Sequence, residues 1–149
     1  MQKVKIKINI LNHGSEELPK YETSGSSGMD LKAAINNPIS IKKNERKIIP
    51  TGIKLEIPKG YEIQIRPRSG LAIKYGITVL NSPGTIDSDY RGEIGVIIIN
   101  HGDEDFKIMP NDRIAQMVIT KIIYAEITKV DKLNNTQRGS KGYGSTGKK

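Results

Sequence analysis

The chain contains no cysteine and no tryptophan, and among its 149 residues only one phenylalanine, six tyrosines and two histidines. Each scarcity removes a class of chemistry. Without cysteine there is no disulfide framework and no thiolate metal site. Two imidazoles, His13 and His101, do not by themselves complete a structural zinc centre. So few rings leave little for a platform on which the bases of a single strand would stack. No apolar run approaches the roughly 20 residues of a membrane span. The N-terminus alternates lysines with apolar residues and has no apolar h-region, so no signal peptide is expected. A cytoplasmic protein that needs neither membrane nor nucleic acid is the expectation.

What the chain does have is positive charge, formally +8. Such a charge attracts polyanions, either nucleic acid or a phosphorylated small molecule. Many of the lysines, however, fall on the solvent side of strand patterns. A length of 149 residues suits one domain with a core that needs no staples.

Lys3 to Ile10 reads KVKIKINI, with Val4, Ile6, Ile8 and Ile10 on one face. That period of two predicts a half-buried strand. Ile39 and Ile41, Ile48 and Ile49, and Ile53, Leu55 and Ile57 predict two or three further short strands, broken at Pro50-Thr51-Gly52. Tyr61, Ile63 and Ile65 begin another, and Val96 to Ile99 reads as a strand buried on both faces. Arg113 to Ile127 is ambiguous in period, but its β-branched residues favour strands. Short strands and turns throughout predict an all-β sandwich or barrel.

Four stretches carry chemistry. In NSPGTIDSDYRG, Asn81 to Gly92, two carboxylates and a tyrosine follow a Pro83-Gly84 turn between two apolar runs. If the stretch is extended, Asp87 and Asp89 share one face and Ile86, Ser88 and Tyr90 the other. An acid and an aromatic at the mouth of a hydrophobic hairpin make a pocket; the plainer reading is a polar turn. In RPRSGLAIKYG, Arg66 to Gly76, Ser69 is placed to cap a short helical turn flanked by Arg66 and Arg68. Free N–H groups and two guanidinium forks would converge there on an anion. In ETSGSSGMDLKAA, Glu22 to Ala34, glycines and serines allow close backbone approach, and Asp30 is a turn residue, a cap or a site residue. The tail after Lys132 cannot build a core. Its Arg138, Ser140, Tyr143, Ser145 and Thr146 among glycines could cradle a phosphate or form a disordered basic tail.

Together these segments resemble the homotrimeric dUTP pyrophosphatases, the dUTPases. The resemblance covers nearly the whole chain and rests on five motifs in family order: Gly28 to Ala33, Arg66 to Ala72, Asn81 with Gly84 to Gly92, Asp112 to Gln116, and Arg138 to Gly147. It implies a jelly-roll core over residues 1–132 and a flexible arm over 133–149. It implies a trimer in which one chain's arm closes another's pocket. It also implies hydrolysis of dUTP to dUMP and pyrophosphate with Mg2+, which keeps uracil out of DNA and supplies dUMP for thymidylate synthesis.

By the same resemblance Asp87 activates water and bonds the deoxyribose 3′-hydroxyl, and Tyr90 packs on the sugar and excludes a 2′-hydroxyl. Asn81 and the backbone of Gly84, Thr85 and Ile86 read the uracil edge, with one contact left at Gly95. Arg68, Ser69 and Gly70 bind phosphate oxygens, and Gln116 sits near the α-phosphate. Arg138, Ser145 and Thr146, beside Gly144, grip the γ-phosphate, and Tyr143 stacks on the base. Asp30 reaches a magnesium ion through water, the metal being held mainly by the phosphates. Three positions depart from the family pattern: Tyr143 stands for the usual Phe, Lys141 for the commonest Gly, and Gly95 for a longer side chain. A dCTP deaminase of similar fold is the nearest competitor, and the Asp87-to-Tyr90 hairpin and the full glycine-rich arm speak against it. A binding protein that kept the fold is the alternative outside enzymes.

Overall fold

The computed structural model describes residues 3–142. Its strands are β1 (Lys7–Ile10), β2 (Met29–Lys32), β3 (Ile39–Ile41), β4 (Arg46–Pro50), β5 (Ile53–Glu56), β6 (Tyr61–Arg66), β7 (Ile77–Val79), β8 (Gly84–Ile86), β9 (Gly95–Asn100), β10 (Phe106–Ile108) and β11 (Arg113–Lys121). One short helix, α1 (Ser69–Tyr75), interrupts them. The architecture is therefore all-β, as the alternation predicts.

The largest sheet has the order β2-β11-β6-β8, and a second has the order β4-β9-β7. β1 pairs with β5, and β10 with β3. Every one of these pairings is antiparallel. Leu31, Ile41, Ile49, Ile63, Ile77, Ile94, Ile98 and Ile108 are fully buried in one shared core. Isoleucine dominates it because a β-branched side chain is stiff at χ1 and packs well on a pleated surface. Burying one such side chain stabilises the fold by about 1.5–3 kcal/mol. Among the described residues the buried polar side chains, Thr51 and Asn100, are both satisfied. Thr51 Oγ1 donates to the Ile94 carbonyl at 2.7 Å. Asn100 Nδ2 donates to the carbonyls of Ile41 and Glu104, and its Oδ1 accepts from Gly102 N–H.

The structure changes several details. Burial alternates from Lys3 to Ile10, but only Lys7–Ile10 pairs in a ladder, with β5. Asp30 is neither a turn residue nor a cap: it lies within β2, between buried Met29 and Leu31. The ambiguous stretch from Arg113 is one strand to Lys121, paired on both sides, with a register shift between Arg113 and Ala115. Beyond it, none of the described residues lies in a helix or strand. Ile123, Tyr124, Ile127, Val130 and Leu133 are exposed there, Ile123 to 94%.

The apolar runs around Asn81 to Gly92 do form a pair, β7 with β9, Val79 opposite Ile98. The segment between them is not a simple hairpin tip. It leaves that sheet, and β8 pairs with β6 in the other one, Gly84 opposite Ile65 and Ile86 opposite Ile63. The extended pattern ends at Ile86. Tyr90 N–H then donates to the Asp87 carbonyl at 3.2 Å, so a turn replaces the alternation of Asp87 and Asp89.

Candidate active site

Asp30, Gln116 and Arg66 lie opposite one another across β2, β11 and β6. Met29 and Leu31 are buried in the core, so the residues between and after them face outward. The chain leaving β6 then runs through Pro67 and Arg68 into α1. These elements enclose an open hollow of about 460 Å³ lined by Asp30, Arg68, Ser69, Gly70, Leu71, Lys74, Tyr75 and Gln116.

Arg68 is held on two sides. Its Nε lies 3.0 Å from Asp30 Oδ1, and its Nη1 donates to the Arg113 carbonyl at 3.0 Å. Arg113 Nη1 reaches the other Asp30 oxygen at 3.6 Å, and its Nη2 reaches Glu22 at 3.5 Å. One carboxylate thus aims one guanidinium and steadies a second, so Arg68 loses little rotamer freedom when it meets an anion. Gln116 Nε2 donates to the Pro67 carbonyl at 3.0 Å and fixes the turn into α1. Gly28 leaves room for it: a Cβ there would sit 2.3 Å from Gln116 Oε1.

Ser69 does not cap α1. Arg68 occupies the cap position without a side-chain hydrogen bond, and Ser69 is the first helical residue. The first turn of α1 carries no acid of its own, and the acid at the hollow is Asp30, paired with Arg68. The two arginines do not converge as expected. Arg66 turns back along its own strand and donates from Nε and Nη2 to Gln64 Oε1, and only Arg68 lines the hollow. Lys74, Tyr75 and Arg113 were given no site role by the sequence. Sequence spacing could show Lys74 one helical turn beyond Gly70; it could not show Arg113 beside Asp30.

The second cluster lies at the other end of β6. Ile86 is opposite Ile63, three steps or roughly 10 Å from Arg66, and Asp87 lies beyond Ile86. Asp87 is exposed, and among the described residues its carboxylate carries no hydrogen bond or ion pair. Tyr90 Oη donates to the Glu93 carbonyl at 2.9 Å. Arg91 Nη1 ties the turn by donating to the carbonyls of Ser88 and Tyr90. Asn81 is exposed and lies against Gly84, where a Cβ would come within 3.2 Å of its Nδ2. β8 is an edge strand, so one row of backbone N–H and C=O groups over Gly84, Thr85 and Ile86 has no ladder partner. Gly95 sits under Ile48, whose Cγ2 would be 2.7 Å from an added Cβ. That contact is a physical reason for glycine at this position.

Arg138 joins neither cluster. It is exposed in a local turn, its Nε donating to the Lys141 carbonyl at 2.9 Å. Tyr143, Gly144, Ser145 and Thr146 lie outside the described residues.

Among the described residues no group of three or more His, Asp or Glu side chains could hold a metal ion. Asp30, 20% exposed at the hollow, is already shared between two arginines. This donor set fits a cation delivered by phosphates and touched by one carboxylate. It does not fit a metal caged by protein alone. Among the described residues no helix is long and apolar enough to cross a membrane.

The loop bordering Asp30 is pinned by Glu17, which accepts from Lys32 Nζ and, at 3.0 Å, from Lys20 Nζ. Those bonds, Lys32 first, hold the Glu17 carboxyl at about 2, against an ordinary 4.5. A carboxyl depressed in the folded state stabilises above its unfolded value and loses that contribution as pH falls towards its folded one. In thermal melts at low salt, wild type should exceed Glu17→Gln above pH 4.5, and the gap should close towards about 2. Both partners are solvated, so added salt should shrink the gap as well.

The fold and the two clusters define the class: an all-β protein with a cationic hollow and a separate acid-and-tyrosine turn. Within that class the chain belongs to the dUTPase family, whose sequence profile matches residues 14–147. It is 54% identical over 144 residues to the deoxyuridine 5′-triphosphate nucleotidohydrolase of Fusobacterium nucleatum, covering 97% of this chain and 99% of that one. The fold matches the Staphylococcus bacteriophage 80alpha dUTPase solved with dUpNHpp, with a TM-score of 0.85 and 24% identity, covering 96% of this chain and 98% of that one. It also matches a point mutant of the phage phi11 dUTPase of S. aureus, in which a structural Mg(II) ion is coordinated. There the TM-score is 0.76 at 22% identity, covering 86% of this chain and 97% of that one.

Proposed function

We propose that the chain hydrolyses dUTP to dUMP and pyrophosphate, with Asp87 activating the water that attacks the α-phosphate. One observation carries this reading: the chemistry is sorted into a phosphate-type hollow around Arg68 and an acid-bearing turn around Asp87. Each supplies what the other lacks. The family's activity and the nucleotide analogue bound to the 80alpha enzyme support dUTP as the substrate.

In this reading the unpaired Asp87 carboxylate accepts a proton from water and a hydrogen bond from the 3′-hydroxyl. Tyr90 packs on the sugar and leaves no room for a 2′-hydroxyl. Asn81 and the free edge of β8 at Gly84, Thr85 and Ile86 read the uracil, with a backbone contact at Gly95. Arg68, Ser69 and Gly70 take phosphate oxygens, and Gln116 lies by the α-phosphate. Arg138, Ser145 and Thr146 grip the γ-phosphate, Gly144 lets the backbone approach, and Tyr143 stacks on the base. Asp30 would hold Mg2+ through water while it keeps Arg68 aimed. The metal's chemistry would be to neutralise charge on the phosphate oxygens. Positioning and charge neutralisation carry most of a phosphoryl transfer, so no covalent intermediate is required.

We further propose that the working form is a trimer in which different copies supply the two clusters and the arm. β6 holds the hollow and the Asp87 turn apart within one chain. Residues 122–133 expose Ile123, Tyr124, Ile127, Val130 and Leu133 to water. An apolar groove lined by Ile6, Ile8, Met29, Met117 and Ile119 is open on the core. Both surfaces gain by burial against another copy. A core over residues 1–132 with an arm over 133–149 belongs to the same reading, as does the supply of dUMP for thymidylate synthesis.

Hydrolysis in heavy-oxygen water tests the mechanism. Label in dUMP supports attack at the α-phosphate; label only in pyrophosphate places the attack elsewhere and rejects it.

A further inference from the structure

We propose that Glu93, gripped by His13 and Gly52, is a positioning residue for Tyr90 and thereby sets how strictly the site refuses a ribose. The inference rests on the reading of Tyr90 as the sugar gate.

Tyr90 has no rigid neighbour of its own element, because it follows a turn at the surface. Its backbone is tied into that turn by the Asp87 carbonyl and the Arg91 guanidinium, and its ring is placed by the two residues ahead of it. The ring lies over Gly92, where a Cβ would be 2.2 Å from its hydroxyl oxygen. The hydroxyl donates to the Glu93 carbonyl at 2.9 Å. The gate is therefore as well placed as the backbone at Glu93.

That backbone is bolted to two other loops. Next to it, buried Ile94 donates from its N–H to the Ile53 carbonyl at 2.9 Å. The Ile94 carbonyl accepts from Thr51 N–H at 3.2 Å and Thr51 Oγ1 at 2.7 Å. The Glu93 side chain adds the outer grip. Its Oε1 accepts from Gly52 N–H at 2.8 Å and lies 2.8 Å from His13 Nε2. Gly52 needs its φ of 68°, and Gly14 packs on it so closely that a Cβ would fall 2.2 Å from Gly14 Cα. Leu11 N–H donates to the Gly52 carbonyl at 2.8 Å. The loop after β1, the β4–β5 turn and the Tyr90 turn thus meet on one carboxylate.

The charge state agrees with this geometry. Burial pushes the Glu93 carboxyl up, but the His13 ring and Gly52 N–H outweigh it and hold it below the ordinary value. The ionised acceptor is the form the three loops are built around, and a hydrogen bond to a charged group is the stronger kind. A purely architectural Glu93 would change melting temperature but not the preference between two sugars. A positioning Glu93 changes that preference, because a gate that can shift leaves space for one more hydroxyl.

The test uses the full chain and measures kcat/KM for dUTP and UTP by pyrophosphate release. Glu93→Ala should lower the dUTP:UTP ratio about tenfold, and Glu93→Gln, which keeps an acceptor oxygen, should restore most of it. His13→Ala removes half the grip and should lower the ratio about two- to threefold, which keeps the test alive if Glu93→Ala does not fold. A folded Glu93→Ala or His13→Ala with the wild-type ratio overturns the inference, as does a fall that Glu93→Gln does not recover. Tyr90→Ala separates the two levels. If it leaves the ratio unchanged, Tyr90 is no gate, and both that reading and this one fall. If it lowers the ratio while the Glu93 and His13 variants do not, only the positioning role is lost.

Discussion

Asp87→Asn should leave dUTP binding nearly intact and lower turnover by about 10³-fold, within the range a general base supplies. The change is isosteric, and the Asp87 backbone is already pinned, its carbonyl accepting Tyr90 N–H. The turn should therefore survive. An amide still accepts a hydrogen bond from the sugar, so binding should persist. It cannot take up a proton from water, so the attack slows. Single-turnover hydrolysis alongside equilibrium binding separates the two effects. Wild-type turnover in Asp87→Asn would remove Asp87 from the chemistry.

Truncation after Lys132 is expected to leave a folded trimer with kcat/KM lowered by about 10²-fold or more, the scale of losing a charge-stabilising donor. Among the described residues all strands end by Lys121, so no ladder among them is cut. Among the described residues Arg138 is engaged only in its own local turn, so the described core loses no contact of that guanidinium. What is lost is a cation, hydroxyls and a ring that would close over the phosphates and exclude water. Ordering that segment costs conformational entropy, which its contacts with substrate must offset. Size-exclusion chromatography and activity on the same sample decide the matter. An unfolded or monomeric product contradicts the arm as a lid, and so does full activity.

How much of this was legible in the sequence depended on the range of the interaction. The KVKIKINI alternation is a local signal, and burial follows it from Lys3 to Ile10. The run from Val96 to Ile99 is likewise largely buried, because a near-continuous apolar strand has water on neither side. Periodicity could not show that β8 leaves the β7–β9 pair for β6, since that depends on which edge is open in space. It could not place Asp30 either, whose partners Arg68 and Arg113 are distant in sequence. Ser69 resembles a cap by type, yet Arg68 occupies that position. Glu93 showed no local signal, because its meaning comes from Gly52 and His13 on other loops. The motifs named the family of residues; the sheet decided which of them meet.

Selection and cleavage of dUTP by this chain is the activity proposed above. It is tested most directly by measuring pyrophosphate release from dUTP, dTTP, dCTP and UTP, each with and without magnesium. Rapid release from dUTP with magnesium is expected, with little without it and at least about 10²-fold lower kcat/KM for the other three nucleotides. Comparable release from dTTP or UTP, or none from dUTP, would contradict it.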